Sequence, residues 1–268
     1  CAGKFIDANT PKEFHDVLNH AIEASFAKTT VSIELLDATG KPTESNVNVT
    51  FINTFTGAPM YDFIHYLDKQ GKPDSVQVDP VVDYDVVVHT IPPVEKKNVN
   101  LTLGKHNVIQ VSVPQGNISF KQQDRKDNTV EAIVRKKGSS GTINVQHNNE
   151  TVRYLTGWYE VETLTLPRRI FPIEVQANKT QSILLPPPSV VNFNTITTGY
   201  GSLYEMKENG QQEWVCNLND MKPQFSLNLL PGSYKIVFRA KNTTGSKYTG
   251  FKVFKVSAGQ TSSVNVFN

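Results

Sequence analysis

The side chains from which a metal site or a general base would be built are few and scattered. The six histidines stand at His15, His20, His65, His89, His106 and His147. His15 and His20 are five residues apart, which on a helix turns them about 140° from one another, whereas two zinc ligands on one helical face need a spacing of three or four. No His, Cys and carboxylate grouping has ligand spacing, so each histidine is expected in a structural or solvated role. Asp79, Asp83 and Asp85 flank Tyr84, but the D-x-D-x-D-G pattern of a calcium loop is missing. There is no G-x-S-x-G elbow, no P-loop and no G-x-G-x-x-G. Gly199-Tyr200-Gly201-Ser202 reads as a turn, with no helix after it to hold a phosphate. The expectation is a protein with no cofactor, no bound metal and no catalytic residues. The remaining candidates are aromatic: Trp158, Trp214, Tyr200 and Tyr204, which together could form a platform for stacking on sugar rings. Trp158 directly precedes a tyrosine expected in the core, so it faces the other way; packing at a module junction is its preferred role and stacking on a ligand the alternative.

The elements that would position these residues are almost all strands. Residues 10–26 read as a helix: Thr10 as N-cap, Pro11 at the first helical position and Glu13 at the third make a capping box. Phe14, Val17, Leu18, Ala21, Ile22 and Phe26 then form an apolar stripe at helical spacing. Before it, Lys4-Phe5-Ile6 reads as a short strand. From Thr29 onward the period changes to two, and strand signals separated by Gly, Pro and Asn recur every 8–15 residues, the spacing of a β-sandwich. Three of these strands are related: Tyr84, Tyr159 and Tyr234 lie 75 residues apart, twice over. Each is followed by a second strand, a turn (Leu103-Gly104-Lys105, Ala177-Asn178-Lys179, Ala258-Gly259-Gln260) and a closing strand. Such self-similarity predicts three tandem modules. The expected organisation is 1–28 strand plus helix, 29–115 first β-sandwich, 116–188 second and 189–268 third, with proline-rich junctions at Pro114-Gln115-Gly116 and Pro186-Pro187-Pro188.

Composition agrees with a mainly β chain of tandem sandwiches. Of 268 residues only 19% are charged, and Val, Thr and Asn are abundant, as half-exposed strands and many turns require. A net charge of +2 is far from the strong basicity of a nucleic-acid binder. The clusters Arg135-Lys136-Lys137 and Arg168-Arg169 are small and lack interleaved aromatics. No apolar run approaches the ~20 residues that span a bilayer. Cys1 and Cys216 cannot make a disulfide framework; one bridge between them, a lipidated Cys1 and a chain that starts there because something upstream is missing are the alternatives, the last being preferred. Six N-x-S/T triplets, beginning at Asn48, Asn100, Asn117, Asn149, Asn178 and Asn242, would matter only in a secreted eukaryotic protein.

Two resemblances add to this reading. Leu230-Pro231-Gly232-Ser233-Tyr234-Lys235-Ile236, with a closing strand ending in Val264-Asn265-Val266, resembles the transthyretin-like or carboxypeptidase-regulatory-like modules of bacterial envelope proteins. The second copy keeps Gly157 and Tyr159 but has Thr156 where proline is usual, and the first copy loses the turn. The resemblance implies Ig-like sandwiches used as spacers and interaction surfaces. The opening, Cys1-Ala2-Gly3-Lys4-Phe5-Ile6-Asp7-Ala8-Asn9-Thr10-Pro11-Lys12-Glu13-Phe14, resembles the last strand and helix of a von Willebrand factor A domain. That implies a metal-dependent adhesion site upstream, on a D-x-S-x-S loop that residues 1–268 do not contain, so no metal ligand carries over.

Taken together, the sequence leads to the expectation of a non-catalytic stalk or scaffold of a cell-envelope (periplasmic or cell-surface) or secreted protein, with an A-type domain upstream. Its partner would be a protein, or a glycan held by Trp158 or Trp214; nucleic acid and a transmembrane segment are not expected. A carbohydrate-binding module set is the first alternative, refuted by burial of both tryptophans. An accessory region of an upstream zinc carboxypeptidase-like enzyme is the second.

Overall fold

The computed structural model describes residues 10–26, 28–124, 130–218 and 222–266. Among the described residues one α-helix, α1 (Pro11–Phe26), precedes 21 strands. The capping box forms as expected: the Thr10 amide donates to Glu13 Oε2 and the Glu13 amide to Thr10 Oγ1, both at 3.2 Å. Of the apolar stripe, Phe14 is 60% and Leu18 45% exposed, so these two are not seated on a core. The strand expected at Lys4–Ile6, and Cys1, lie outside the described residues.

The strands fall into three sandwiches of seven. The first comprises β1 (Thr30–Leu36), β2 (Asn48–Asn53), β3 (Pro59–Ile64), β4 (Val76–Gln77), β5 (Tyr84–Val88), β6 (Val94–Val99) and β7 (His106–Ser112). The second comprises β8 (Gln115–Gln122), β9 (Glu131–Lys136), β10 (Thr142–His147), β11 (Glu150–Leu155), β12 (Gly157–Thr163), β13 (Arg169–Val175) and β14 (Thr180–Leu185). The third comprises β15 (Ser189–Asn194), β16 (Gly199–Met206), β17 (Gln212–Asn217), β18 (Gln224–Leu229), β19 (Gly232–Ala240), β20 (Gly250–Val256) and β21 (Thr261–Asn265).

The same wiring recurs three times. The three-stranded sheets run β4-β1-β7, β11-β8-β14 and β18-β15-β21; the four-stranded sheets run β3-β2-β5-β6, β10-β9-β12-β13 and β17-β16-β19-β20. In each sandwich the first and last strands pair in parallel, Thr30–Leu36 with His106–Ser112 being the longest instance. The other pairings are antiparallel, as hairpin connections demand. By compactness the chain divides into two units. One is Cys1–Gly116 with Arg153–Thr156; the other is Asn117–Val152 with Gly157–Asn268 and holds the third sandwich and most of the second.

The 75-residue spacing is explained by position. Tyr84, Tyr159 and Tyr234 all lie on the fifth strand of their sandwich and are at most 1% exposed. A buried phenol needs a hydrogen-bond partner. Tyr84 Oη donates to the Asp79 carbonyl at 2.8 Å and Tyr234 Oη to the Leu230 carbonyl at 2.6 Å, so each hydroxyl fastens the loop that enters its own strand. The three closing turns also behave alike, with Gly104, Asn178 and Gly259 all at positive φ.

Alternation builds the cores. On β5 Tyr84, Val86 and Val88 point inward, and they meet Val31, Ile33 and Leu35 of β1 with Val49 and Phe51 of β2. The third core is built likewise from Phe193, Leu203, Tyr234, Ile236 and Phe238. Gly199-Tyr200-Gly201-Ser202, read from sequence as a turn, is instead the start of β16. The reason lies 37 residues away: a Cβ on Gly199 would meet Phe238 Cζ at 2.5 Å, and one on Gly201 would meet Phe238 Cδ2 at 2.9 Å. These glycines make room for a ring rather than bend the chain.

Candidate functional site

The polar groups that sequence alone could assign to catalysis are engaged elsewhere. His65 is 1% exposed, and its Nε2 lies 2.8 Å from the carbonyl of Ile33. Strand β4 pairs only with Thr30 and Val31, so this carbonyl lies beyond its reach and the imidazole stands in for the missing strand. Gln146 likewise donates to a main-chain carbonyl, that of Ile118 on β8, at 2.8 Å. The nearest approach to a nucleophile–base pair is Thr50 Oγ1, 2.7 Å from His89 Nε2. Asp62, however, accepts from the same Thr50 hydroxyl at 2.5 Å, so the carboxylate sits on the hydroxyl instead of on the far ring nitrogen that an orienting acid would hold. Asp79 and Asp85 cap the Val81 and Asn98 amides, at 3.0 and 2.8 Å. Among the described residues no group of three or more His, Cys, Asp or Glu could hold a metal ion. Cys216 is a free thiol whose pKa burial pushes up.

Two carboxylates are deeply buried with cationic partners. In the first unit Glu44 accepts from Arg153 Nη2 at 2.5 Å and from the Gln115 amide at 3.3 Å. In the second unit Glu205 of β16 accepts two hydrogen bonds from Arg169 of β13, one at 2.8 Å, and one from Lys207 at 2.7 Å. Burial pushes the Glu205 carboxyl up, but the Arg169 and Lys207 hydrogen bonds outweigh it and hold the group below the usual carboxylate range. Beside this pair the Leu230 amide donates to the Leu166 carbonyl at 2.8 Å. A pocket of about 290 Å³ is lined there by Gln122, Leu166, Pro188 and Leu230 among others. Its one buried acceptor without a hydrogen bond, Gln122 Oε1, does not make a reactive centre.

The four aromatic candidates are exposed to very different effect. Trp158 lies on β12, faces outward as its place before Tyr159 requires, and is 47% exposed with Lys137 Nζ 4.8 Å from its ring centroid. It stands apart from the other three, beside a groove of about 670 Å³ lined by Phe171, Ile173 and Leu184.

Trp214, Tyr204 and Tyr200 share the outer face of the sheet β17-β16-β19-β20. Register fixes this: Trp214 is opposite Tyr204, Tyr204 opposite Lys235, and Lys235 opposite Val253, so one row crosses all four strands. The next row holds Ser202, Val237 and Phe251, and Tyr200 faces Arg239 beyond it. Trp214, Phe251, Val253 and Tyr200 are 59%, 64%, 54% and 40% exposed. Three cations lie over the rings, Lys235 Nζ 4.6 Å from Phe251 and Arg239 Cζ and Lys241 Nζ 5.7 and 5.9 Å from Tyr200, within cation–π range. Asn217 Oδ1 accepts from Trp214 Nε1 at 3.2 Å and from Ser202 Oγ at 3.1 Å, which fixes the indole plane.

Sequence reasoning missed Phe251, Val253, Lys235 and Arg239. The available signal was Val253-Phe254: adjacent apolar residues on a strand must face opposite sides, so one of them is outward. The resulting face is flat, aromatic and cationic. It can stack on the apolar face of a ring and pair with an anion, but it holds no nucleophile.

No known protein family matches the chain, and no curated relative does. Among solved structures it is similar to the Bacillus anthracis TIE protein, at 11% identity and TM-score 0.25 over 90% of this chain and 51% of that one. It is also similar to a streptococcal ancillary pilin, at 10% identity and TM-score 0.28 over 90% and 98% of the two chains. The major pilin subunit of Bacillus cereus gives 8% identity and TM-score 0.22 over 90% and 99%. The chain spans about half the length of the first of these. Similarity this low carries no inference about activity or partner.

Proposed function

We propose that the chain is a non-catalytic scaffold and adhesion region of a cell-envelope or secreted protein, divided into modules at 28/29, 115/116 and 188/189. The observation that carries this reading is the threefold recurrence of one seven-strand wiring with an apolar interior each time. Repeated sandwiches suit spacing and surface display, because each adds length and outward-facing sheet without adding a reaction site. The streptococcal and Bacillus proteins above, two of them pilins by description, are consistent with this reading and do not decide it. The aromatic and cationic face of the third sandwich favours an adhesive role over a purely structural one. Placing an A-type domain before residue 1 belongs to the same proposal and is tested by reading the upstream coding sequence for a D-x-S-x-S motif. The main test is antibody labelling against residues 29–268 on intact and permeabilised cells of the source organism. Labelling of intact cells is expected; labelling only after permeabilisation overturns the proposal.

A further inference from the structure

The outer face of the sheet β17-β16-β19-β20 meets three conditions at once. It exposes Trp214, Tyr200 and Phe251 beside a half-buried Tyr204 on one face, it carries Lys235 and Arg239 between those rings, and it belongs to the most basic part of the chain. Residues 189–268 hold eight Lys and Arg against four Asp and Glu, a balance of +4, while the whole chain is only +2. Among the described residues neither Lys235 nor Arg239 makes an ion pair; the strongest contacts around Lys235 are the Phe251 ring and a 3.5 Å approach to Gln212 Oε1. A cation held over a ring keeps its charge open to a ligand anion while the ring offers its remaining surface.

We propose that this face binds an anionic polysaccharide, the aromatic rings stacking on sugar faces and Lys235 and Arg239 pairing with carboxylates. This rests on the reading of the chain as an adhesion region and specifies the ligand class. The spacing of the cations selects the ligand. Lys235 and Arg239 are four residues apart on one strand, about 13 Å at a strand's rise per residue. Lys241, 5.9 Å from the Tyr200 centroid, and Lys255 of β20 lie at the margins of the same face, and a nucleic-acid strand, with a phosphate roughly every 3.4 Å along a duplex axis, calls for a denser array of cations than these four. A glycan with a carboxylate on every second sugar is sparse enough to match. Trp214 and Phe251, on the two outer strands and one row apart, stand about 16 Å apart at ~4.8 Å per strand and ~3.3 Å per residue, so each ring meets a different sugar of one chain. Trp158 lies on another sheet and takes no part.

The test is affinity electrophoresis of the full 268-residue chain through gels containing hyaluronan, whose carboxylates fall on every second sugar. Parallel gels contain uncharged dextran or poly(dT). Retardation by hyaluronan is expected, weakening as NaCl rises from about 50 to about 500 mM. Trp214→Ala and Phe251→Ala should each lower affinity about tenfold, by loss of one stacking contact. Lys235→Gln with Arg239→Gln should lower it similarly and weaken the salt dependence, while Trp158→Ala leaves binding unchanged. Unfolding midpoints confirm that the variants fold, and the aromatic and cation variants fail independently. No retardation by hyaluronan overturns the inference while leaving the cell-labelling result for the adhesion reading intact. Stronger retardation by poly(dT) that the same variants abolish overturns it in favour of single-stranded nucleic acid. Equal, salt-insensitive retention by dextran overturns the assignment of the cations.

Discussion

Arg169→Ala tests the reasoning about the buried ion pair most directly. The Glu205 side chain is 7% exposed and Arg169 28%, so the carboxylate is the deeply desolvated partner. Removing one member of a fully buried pair costs about 3–5 kcal/mol. Here Lys207 stays 2.7 Å from Glu205 Oε2 and Arg169 is partly solvated, which reduces the expected loss to about 2 kcal/mol. With a urea m-value of about 2 kcal/mol/M, the unfolding midpoint should fall by about 1 M. The arginine stem also packs, so a double-mutant cycle with Glu205→Gln separates charge from contact. If Arg169→Ala costs as much in the Glu205→Gln background as in the parent, the loss comes from packing and the electrostatic argument is refuted. The sign with pH follows from the lowered carboxyl pKa of Glu205. A carboxylate depressed in the folded state contributes stability above its unfolded value, about 4.3 for Glu, and that contribution is lost as pH falls through the folded value. The parent and Arg169→Ala should therefore differ most above about pH 4.3 and converge only as pH falls through the lowered folded value of Glu205.

Four other substitutions probe separate parts of the account. Tyr234→Phe removes the 2.6 Å hydrogen bond to the Leu230 carbonyl and should cost about 1–2 kcal/mol in denaturant unfolding; a neutral effect would disconnect the 75-residue repeat from loop fastening. Gly201→Ala places a Cβ 2.7 Å from the Val237 carbonyl oxygen and should cost about 2–3 kcal/mol, read as a lowered melting temperature; an unchanged melting temperature would return Gly201 to the status of a turn residue. His65→Leu leaves the Ile33 carbonyl without its 2.8 Å partner and should cost about 1–3 kcal/mol; unchanged unfolding would remove the imidazole's role as a substitute strand. Thr10→Ala loses one side of the capping box, worth about 1 kcal/mol to the helix, and should lower the far-UV helical signal without shifting the β unfolding transition, because Phe14 and Leu18 are exposed.

Much of this architecture is local and therefore legible from residue order. The capping box of Thr10 and Glu13, the φ > 0 turns at Gly104, Asn178 and Gly259, and the Tyr84–Tyr159–Tyr234 recurrence all depend on neighbours within a few residues or on a fixed period. The misread Gly199-Tyr200-Gly201-Ser202 shows the limit. Glycine is the same letter whether it bends a chain or yields to a ring, and Phe238 becomes its neighbour only when β16 and β19 pair. The candidate site divides similarly. Tyr200 and Tyr204 are close in sequence on one strand face, but grouping Trp214 with them needs the β16–β17 register, and separating Trp158 needs the sheet assignment. Lys235 and Arg239 are ordinary surface cations until the register sets them beside Phe251 and Tyr200.

The parallel pairing of first and last strands has a mechanical consequence. In each sandwich the chain enters at the start of one strand and leaves at the end of its parallel neighbour, as from Thr30 to Ser112, Asn117 to Leu185 and Val190 to Asn265. Tension applied at the two ends drags these strands along one another in opposite directions. The connecting hydrogen bonds then lie across the load and share it, instead of opening one at a time like a zip. Each sandwich therefore resists extension at its own closing seam, and the longest seam, Thr30–Leu36 against His106–Ser112, should be the last of the three to yield.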